Sequence, residues 1–121
     1  MPRVIHFELA ADDPMRAQKF YGEVFGWHFQ KYPGPMEYWL VSTGEDGPGI
    51  DGGLGKRMGA PTDSANTLDV PSVDEYVQKV TAAGGRVVQP KMAIPHVGWL
   101  AYCADSEGNV FGMMQADPTA S

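Results

Sequence analysis

One pattern is written twice along this chain. Residues 3 to 55 read strand, helix, strands, and residues 65 to 115 repeat that reading 59 positions later, so that Val24, Gly26 and Gly53 recur as Ala83, Gly85 and Gly112. A unit of this kind cannot bury the face of its own sheet, which predicts that the two assemble with strands curled into a cup and helices outside. The expected organisation is one domain over residues 1–116: module one at about 3–55, a polar linker at 56–64 and module two at about 65–115. Residues 117–121 are expected to fray.

The elements follow from local chemistry. Val4, His6 and Glu8 alternate with Ile5, Phe7 and Leu9, the period of a strand with two different faces. Asp12 or Asp13 offers an N-cap, Pro14 fits the first helical position, and Ala17, Phe20, Tyr21 and Val24 recur at helical spacing before Gly26. That stripe predicts core positions for Phe20 and Tyr21. Strands are expected at 27–32, 37–43 and, more weakly, 50–55. In the second half a strand at 66–70 precedes a capping box of Ser72 and Glu75, and Val73, Tyr76, Val77, Val80 and Ala83 form a helical face ended by Gly84-Gly85. Strands at 86–89, 97–104 and 109–115 complete it, the last two joined by a turn at 105–108.

Composition excludes several functions. The formal net charge is −6, and the nine Lys and Arg residues are scattered instead of forming the basic stripe that phosphate backbones require, so nucleic acid is not an expected partner. No apolar run approaches the roughly 20 residues of a membrane span, and the amino terminus enters a strand pattern at once, without the regions of a signal peptide. A lone Cys103 cannot form an intramolecular disulfide and suits a reducing compartment. The expectation is a soluble, cytoplasmic protein without membrane contact.

With this doubled order, the segments His6-Phe7-Glu8, Phe20-Tyr21, Phe25-Gly26-Trp27, Ala82-Ala83-Gly84-Gly85 and Asp105-Ser106-Glu107-Gly108-Asn109 make the chain resemble the vicinal oxygen chelate superfamily. This group includes glyoxalase I, bleomycin-resistance proteins, fosfomycin-resistance enzymes and extradiol dioxygenases. The resemblance covers residues 3 to 115 and is most specific where residues 105–109 turn into Val110-Phe111-Gly112. It implies an α+β fold of two tandem βαβββ modules forming a cupped mixed sheet with helices outside, a ligand cavity, and often a homodimer.

Metal-dependent members of that group carry ligands on the first and last strand of each module. His6 matches the first of these positions, fifteen residues ahead of Tyr21, whereas the equivalent in module two is Ala65 and the last-strand positions fall near Gly53 and at Gly112. Three of the four ligands are missing, and one imidazole cannot hold a divalent ion. No metal or other cofactor is therefore expected, and glyoxalase I activity is not. A shifted metal site of His6, Asp51 and Glu8 is the alternative, because Asp51 shares a parity with Gly53.

The remaining candidates concern binding. His6 and Glu8 share a strand face and suit the roles of base and orienter in proton transfer, though a satisfied polar pair is the commoner explanation of such a spacing. Tyr38, Trp39, Trp99, Tyr102 and Met114 lie on expected strands and would line an apolar cleft for a small apolar or aromatic molecule. His28 is expected to face solvent or a helix seam. His96 sits in a loop entering a strand, where sequences of the resembling group often have Gly. The reading is thus a small-molecule-binding protein with an incomplete metal site. Its rivals are a metal-dependent lyase, isomerase or dioxygenase using His6 with Asp51 or Glu8, and a protein that sequesters an antibiotic or metabolite.

Overall fold

The computed structural model describes residues 2–59 and 61–121. Met1 and, within the expected linker, Ala60 lie outside the described residues. The order is β1 (Val4–Ala11), α1 (Pro14–Phe25), β2 (His28–Lys31), β3 (Tyr38–Ser42), β4 (Gly52–Lys56), β5 (Ala65–Asp69), α2 (Val73–Ala82), β6 (Arg86–Ile94), β7 (Gly98–Ala104) and β8 (Val110–Ala116). The doubled βαβββ order is present in full. The chain divides into two compact units, residues 6–64 and residues 65–121 together with residues 2–5.

In the unit of residues 6–64 the strands are ordered β2-β3-β4-β1. β1 and β4 are parallel, while β2–β3 and β3–β4 are antiparallel, which makes the sheet mixed. The other unit repeats this as β5-β8-β7-β6, with β5 and β8 parallel and the two hairpins antiparallel. The helices start where the sequence provides caps. The Asp13 carboxylate accepts from the Arg16 N–H with Pro14 following, and Ser72 accepts from the Glu75 N–H. Gly26 ends α1 at φ 74° and Gly84 follows α2 at φ 98°, conformations that favour glycine. Gly85 serves a different need: an added Cβ would stand 2.6 Å from the Ala104 carbonyl oxygen and 2.7 Å from Val80.

Each unit packs its helix against one face of its strands. Under α2, Val70, Val73, Ala101, Cys103 and Met113 form a core flanked by Tyr76, Val77, Val80, Trp99 and Phe111. In the other unit Val41 and Leu54 are buried, and Phe7, Tyr21, Phe25 and Trp27 form an aromatic cluster in which the Tyr21 and Trp27 rings stack at 4.9 Å. Burial of such groups is the main favourable term in folding.

Three expectations are corrected. Phe20 is not core: it is 55% exposed, as are Val24 at 56% and Phe25 at 59%, because α1 turns only part of its apolar stripe to the sheet. β6 does not stop at Gln89 but runs through Pro90 to Ile94. It is the edge strand of its unit and shifts register between Gln89 and Met92, so the missing proline N–H breaks no ladder bond that matters. The tail does not fray. Ala120 is fully buried and its carbonyl accepts from the His96 N–H at 2.9 Å, while Asp117 accepts from Trp99 Nε1 at 3.0 Å and from Thr119.

Candidate functional site

The site in the unit of residues 6–64 is built by strand register. Glu8 pairs with Gly53, Gly53 with Leu40 and Leu40 with Gln30, so these four residues form one row across the sheet. Side chains alternate along a strand, which puts His6, Asp51, Ser42 and His28 on the same face, two residues from that row. They enclose an open depression of about 500 Å³ whose wall includes His6, His28, Gln30, Leu40, Ser42 and Asp51. The opposite face carries Phe7, Trp39, Val41 and Leu54, toward the apolar core.

At one end of this face three polar side chains meet. His6 Nε2 lies 2.6 Å from Glu8 Oε1, the Tyr38 hydroxyl donates to the same oxygen at 2.7 Å, and Tyr38 Oη is 3.4 Å from His6 Nε2. The His6 side chain is 29% exposed and that of Glu8 13%, so the carboxylate is nearly withdrawn from water. A carboxylate in that position needs its donors, and both are supplied. Glycine makes the arrangement possible. A Cβ at position 53 would stand 1.7 Å from Tyr38 Oη and 2.3 Å from Cζ, so the phenol occupies the space a side chain at 53 would fill.

Chemically, the arrangement orients an imidazole. With Nε2 engaged by Glu8, the ring offers Nδ1 as its remaining polar atom, and Tyr38 holds the carboxylate that fixes the ring. His6, Glu8 and Tyr38 are thus brought together. Trp39 is not, because it neighbours Tyr38 on β3 and therefore projects from the other face, opposite Leu54. Asp51 is not part of the cluster either: its Oδ1 accepts from the Thr43 N–H at 2.9 Å and lies 3.3 Å from Thr43 Oγ1, which closes the loop between β3 and β4.

In the unit of residues 65–121, Thr67, Gly112, Tyr102 and Gln89 form a row, with Asp69, Met114, Leu100 and Met92 in the next. Tyr102 and Met114 therefore share a face, and Tyr102 is buried, its ring 3.1 Å from where a Cβ of Gly112 would stand. Trp99 projects from the other face into the core under α2, held by Asp117 and covered by the Lys91 ammonium at 5.0 Å. The expectation that Trp39 and Trp99 line the cleft is corrected by this alternation.

The divalent ion of metal-dependent relatives does not fit these residues. Positions 53 and 112 are glycines, the side-chain space of the first is taken by Tyr38 and that of the second is hemmed in by Thr67 and Tyr102, Ala65 has no donor, and Glu8 Oε1 already serves His6 and Tyr38. Among the described residues no three His, Cys, Asp or Glu side chains are grouped to hold a metal, so the alternative set of His6, Asp51 and Glu8 is not assembled.

Sequence reasoning missed His28, Gln30 and Ser42. His28 is exposed as expected, but it lies over the depression, level with Ser42. Only the pairing register could reveal this, since periodicity says which residues share a face and not which face is concave. Thr119 and Trp99 hold the Asp117 carboxyl below its ordinary value, Asn109 and Glu107 do the same for Asp105, and burial pushes the Cys103 thiol up.

These features define a class by fold: α+β proteins of two βαβββ modules. A family described as bleomycin resistance protein-like N-terminal matches residues 3–44. CFP32 of Mycobacterium bovis, named as a glyoxylase, is 30% identical over 115 residues, 91% of this chain. The chain spans only 44% of that relative's length. A glyoxylase-like domain-containing protein of Didymella fabae is 29% identical over 109 residues, 84% of each chain. The fold matches that of a glyoxalase/bleomycin resistance protein/dioxygenase superfamily member from Vibrio splendidus at a TM-score of 0.62 and 20% identity, covering 94% of this chain and 98% of that one. The chain shares the fold of the vicinal oxygen chelate superfamily and is similar to its glyoxalase and bleomycin-resistance-like proteins.

Proposed function

We propose that this chain binds a small organic molecule with an apolar or aromatic body, and that it does so without a metal ion. The observation that carries the reading is the His6 imidazole, fixed by Glu8 and Tyr38 at the wall of a depression of about 500 Å³. That volume lies in the range of small-molecule sites, and the wall sets Leu40 among the hydrogen-bonding groups of His6, His28, Gln30, Ser42 and Asp51. Leu40 takes the apolar body, and His6, Ser42 and His28 orient its polar edge. Catalysis by His6 with Glu8, and sequestration of the kind the bleomycin-resistance name denotes, are functions the same site would serve.

The setting we propose is cytoplasmic, and the unit is a homodimer. No helix among the described residues is long and apolar enough to cross a membrane, and the buried Cys103 thiol is unpaired. Phe20, Val24 and Phe25, each more than half exposed on α1, give a second copy an apolar surface to cover.

A thermal-shift screen of a metabolite and drug library tests the binding reading. A compound that binds only the native state stabilises it by about 2.7 kcal/mol at a hundred times its Kd. The shift should shrink in Leu40→Glu and in His6→Ala. A library that yields no hit, or hits indifferent to both substitutions, would remove this reading.

A further inference from the structure

The space at Gly53 is not merely vacant; another side chain has been placed in it. Tyr38 reaches across from β3, and its hydroxyl lies where the first atom of any side chain at 53 would be. From there it donates to Glu8 at 2.7 Å and approaches His6 at 3.4 Å. We propose that the Tyr38 hydroxyl takes over, within the protein itself, the structural task of a divalent ion at this site: it neutralises no charge, but it holds Glu8 and His6 in a fixed relation. The site is therefore closed to metal by Tyr38 and Gly53 together, and a cation site lies latent beneath the phenol. This inference rests on the metal-free reading above.

The argument is one of donors and space. A divalent ion needs several oxygen or nitrogen ligands converging on one point, and His6 and Glu8 supply two on the same strand face. Position 53 is level with Glu8 in the β1–β4 ladder and belongs to the same cross-strand row, so a carboxylate there would join the pair. The phenol prevents this in two ways. It fills the volume, and it donates a hydrogen bond to the carboxylate oxygen that an ion would need. Tyr38 is thus a positioning residue for His6 and Glu8, and Gly53 is the residue that admits it.

The test compares the wild-type chain, Gly53→Glu, and the double variant Tyr38→Ala with Gly53→Glu, each probed with Ni²⁺ or Mn²⁺ alone by isothermal titration and by metal-dependent thermal melting. Circular dichroism first establishes that each is folded. The wild type should take up no stoichiometric ion. The folded double variant should bind one ion per chain at least 100-fold more tightly than the wild type, and its melting temperature should rise with metal concentration. Gly53→Glu alone should bind more weakly than the double variant, since the phenol still competes for the space. Stoichiometric, tight binding by the wild type overturns the proposal, as does a folded double variant that binds no better than the wild type. The two failures are distinguishable: a wild type that holds nickel defeats this inference and the metal-free clause but leaves the binding of an organic molecule standing, and a screen without hits leaves the cation test untouched.

Discussion

Replacing Gly53 by alanine probes the central contact with one methyl group. The new Cβ would lie 1.7 Å from Tyr38 Oη, 2.3 Å from Cζ and 2.9 Å from Cε1, against the roughly 3.5 Å at which non-bonded atoms rest. Three atoms of a rigid ring are involved, so the whole phenol must withdraw, and its bond to the nearly buried Glu8 carboxylate is lost. A hydrogen bond to a charged group contributes about 1.5–3 kcal/mol, and forced repacking costs about 1–3 kcal/mol. Exchanging glycine for alanine in a strand returns about 0.5–1 kcal/mol. The expected net destabilisation is about 2–4 kcal/mol, read by urea denaturation as a midpoint lowered by about 1–2 M. In a Tyr38→Ala background the clash is gone, and the same substitution should be neutral or stabilising by about 0.5 kcal/mol, a coupling of at least about 2 kcal/mol. Two neighbours serve as controls. At Gly55 a Cβ meets Tyr38 at 3.4 Å, an ordinary contact, so alanine should change stability by less than about 0.5 kcal/mol. At Gly52 it would stand 2.4 Å from the Phe7 carbonyl oxygen, and Tyr38→Ala should give no relief. Equal costs for Gly53→Ala in both backgrounds would refute the reasoning.

His96 holds φ at 65° in the β6–β7 turn, the left-handed region that costs a side-chain-bearing residue about 1 kcal/mol, so His96→Gly should raise the melting temperature by a few degrees; a fall would show that the imidazole has a stabilising partner. Asp117→Ala should loosen the tail and redden Trp99 fluorescence. Because the folded-state pKa of Asp117 is depressed, its stabilising contribution is complete above the ordinary value of 3.8 and is lost as pH falls through the lower folded value. The stability gap between wild type and variant should therefore close only at strongly acid pH, and a gap that closes near neutrality would contradict this. Cys103 is fully buried and its thiol is pushed up by that burial, so a thiol reagent should label it at the rate of unfolding; fast labelling under native conditions would place it elsewhere.

Local physics was legible without coordinates wherever it depends on near neighbours. The N-caps at Asp13 and Ser72, the stop at Gly26, the break after Ala83 and the 59-residue repeat follow from backbone bonding and periodicity over a few residues. So does the pairing of His6 with Glu8, which two-residue alternation puts on one face. The tertiary structure decided everything that depends on register between distant strands. It set Tyr38 against Gly53 while turning Trp39 and Trp99 to the core side, and it set His28 and Ser42 beside the depression. It also tied the tail to His96 and Trp99, a docking that the polar sequence of 117–121 conceals because its bonds are made to residues some twenty positions earlier. A sequence states which side chains point the same way; only the assembled ladder states what stands opposite them, and the chemistry of this site lies in that opposition.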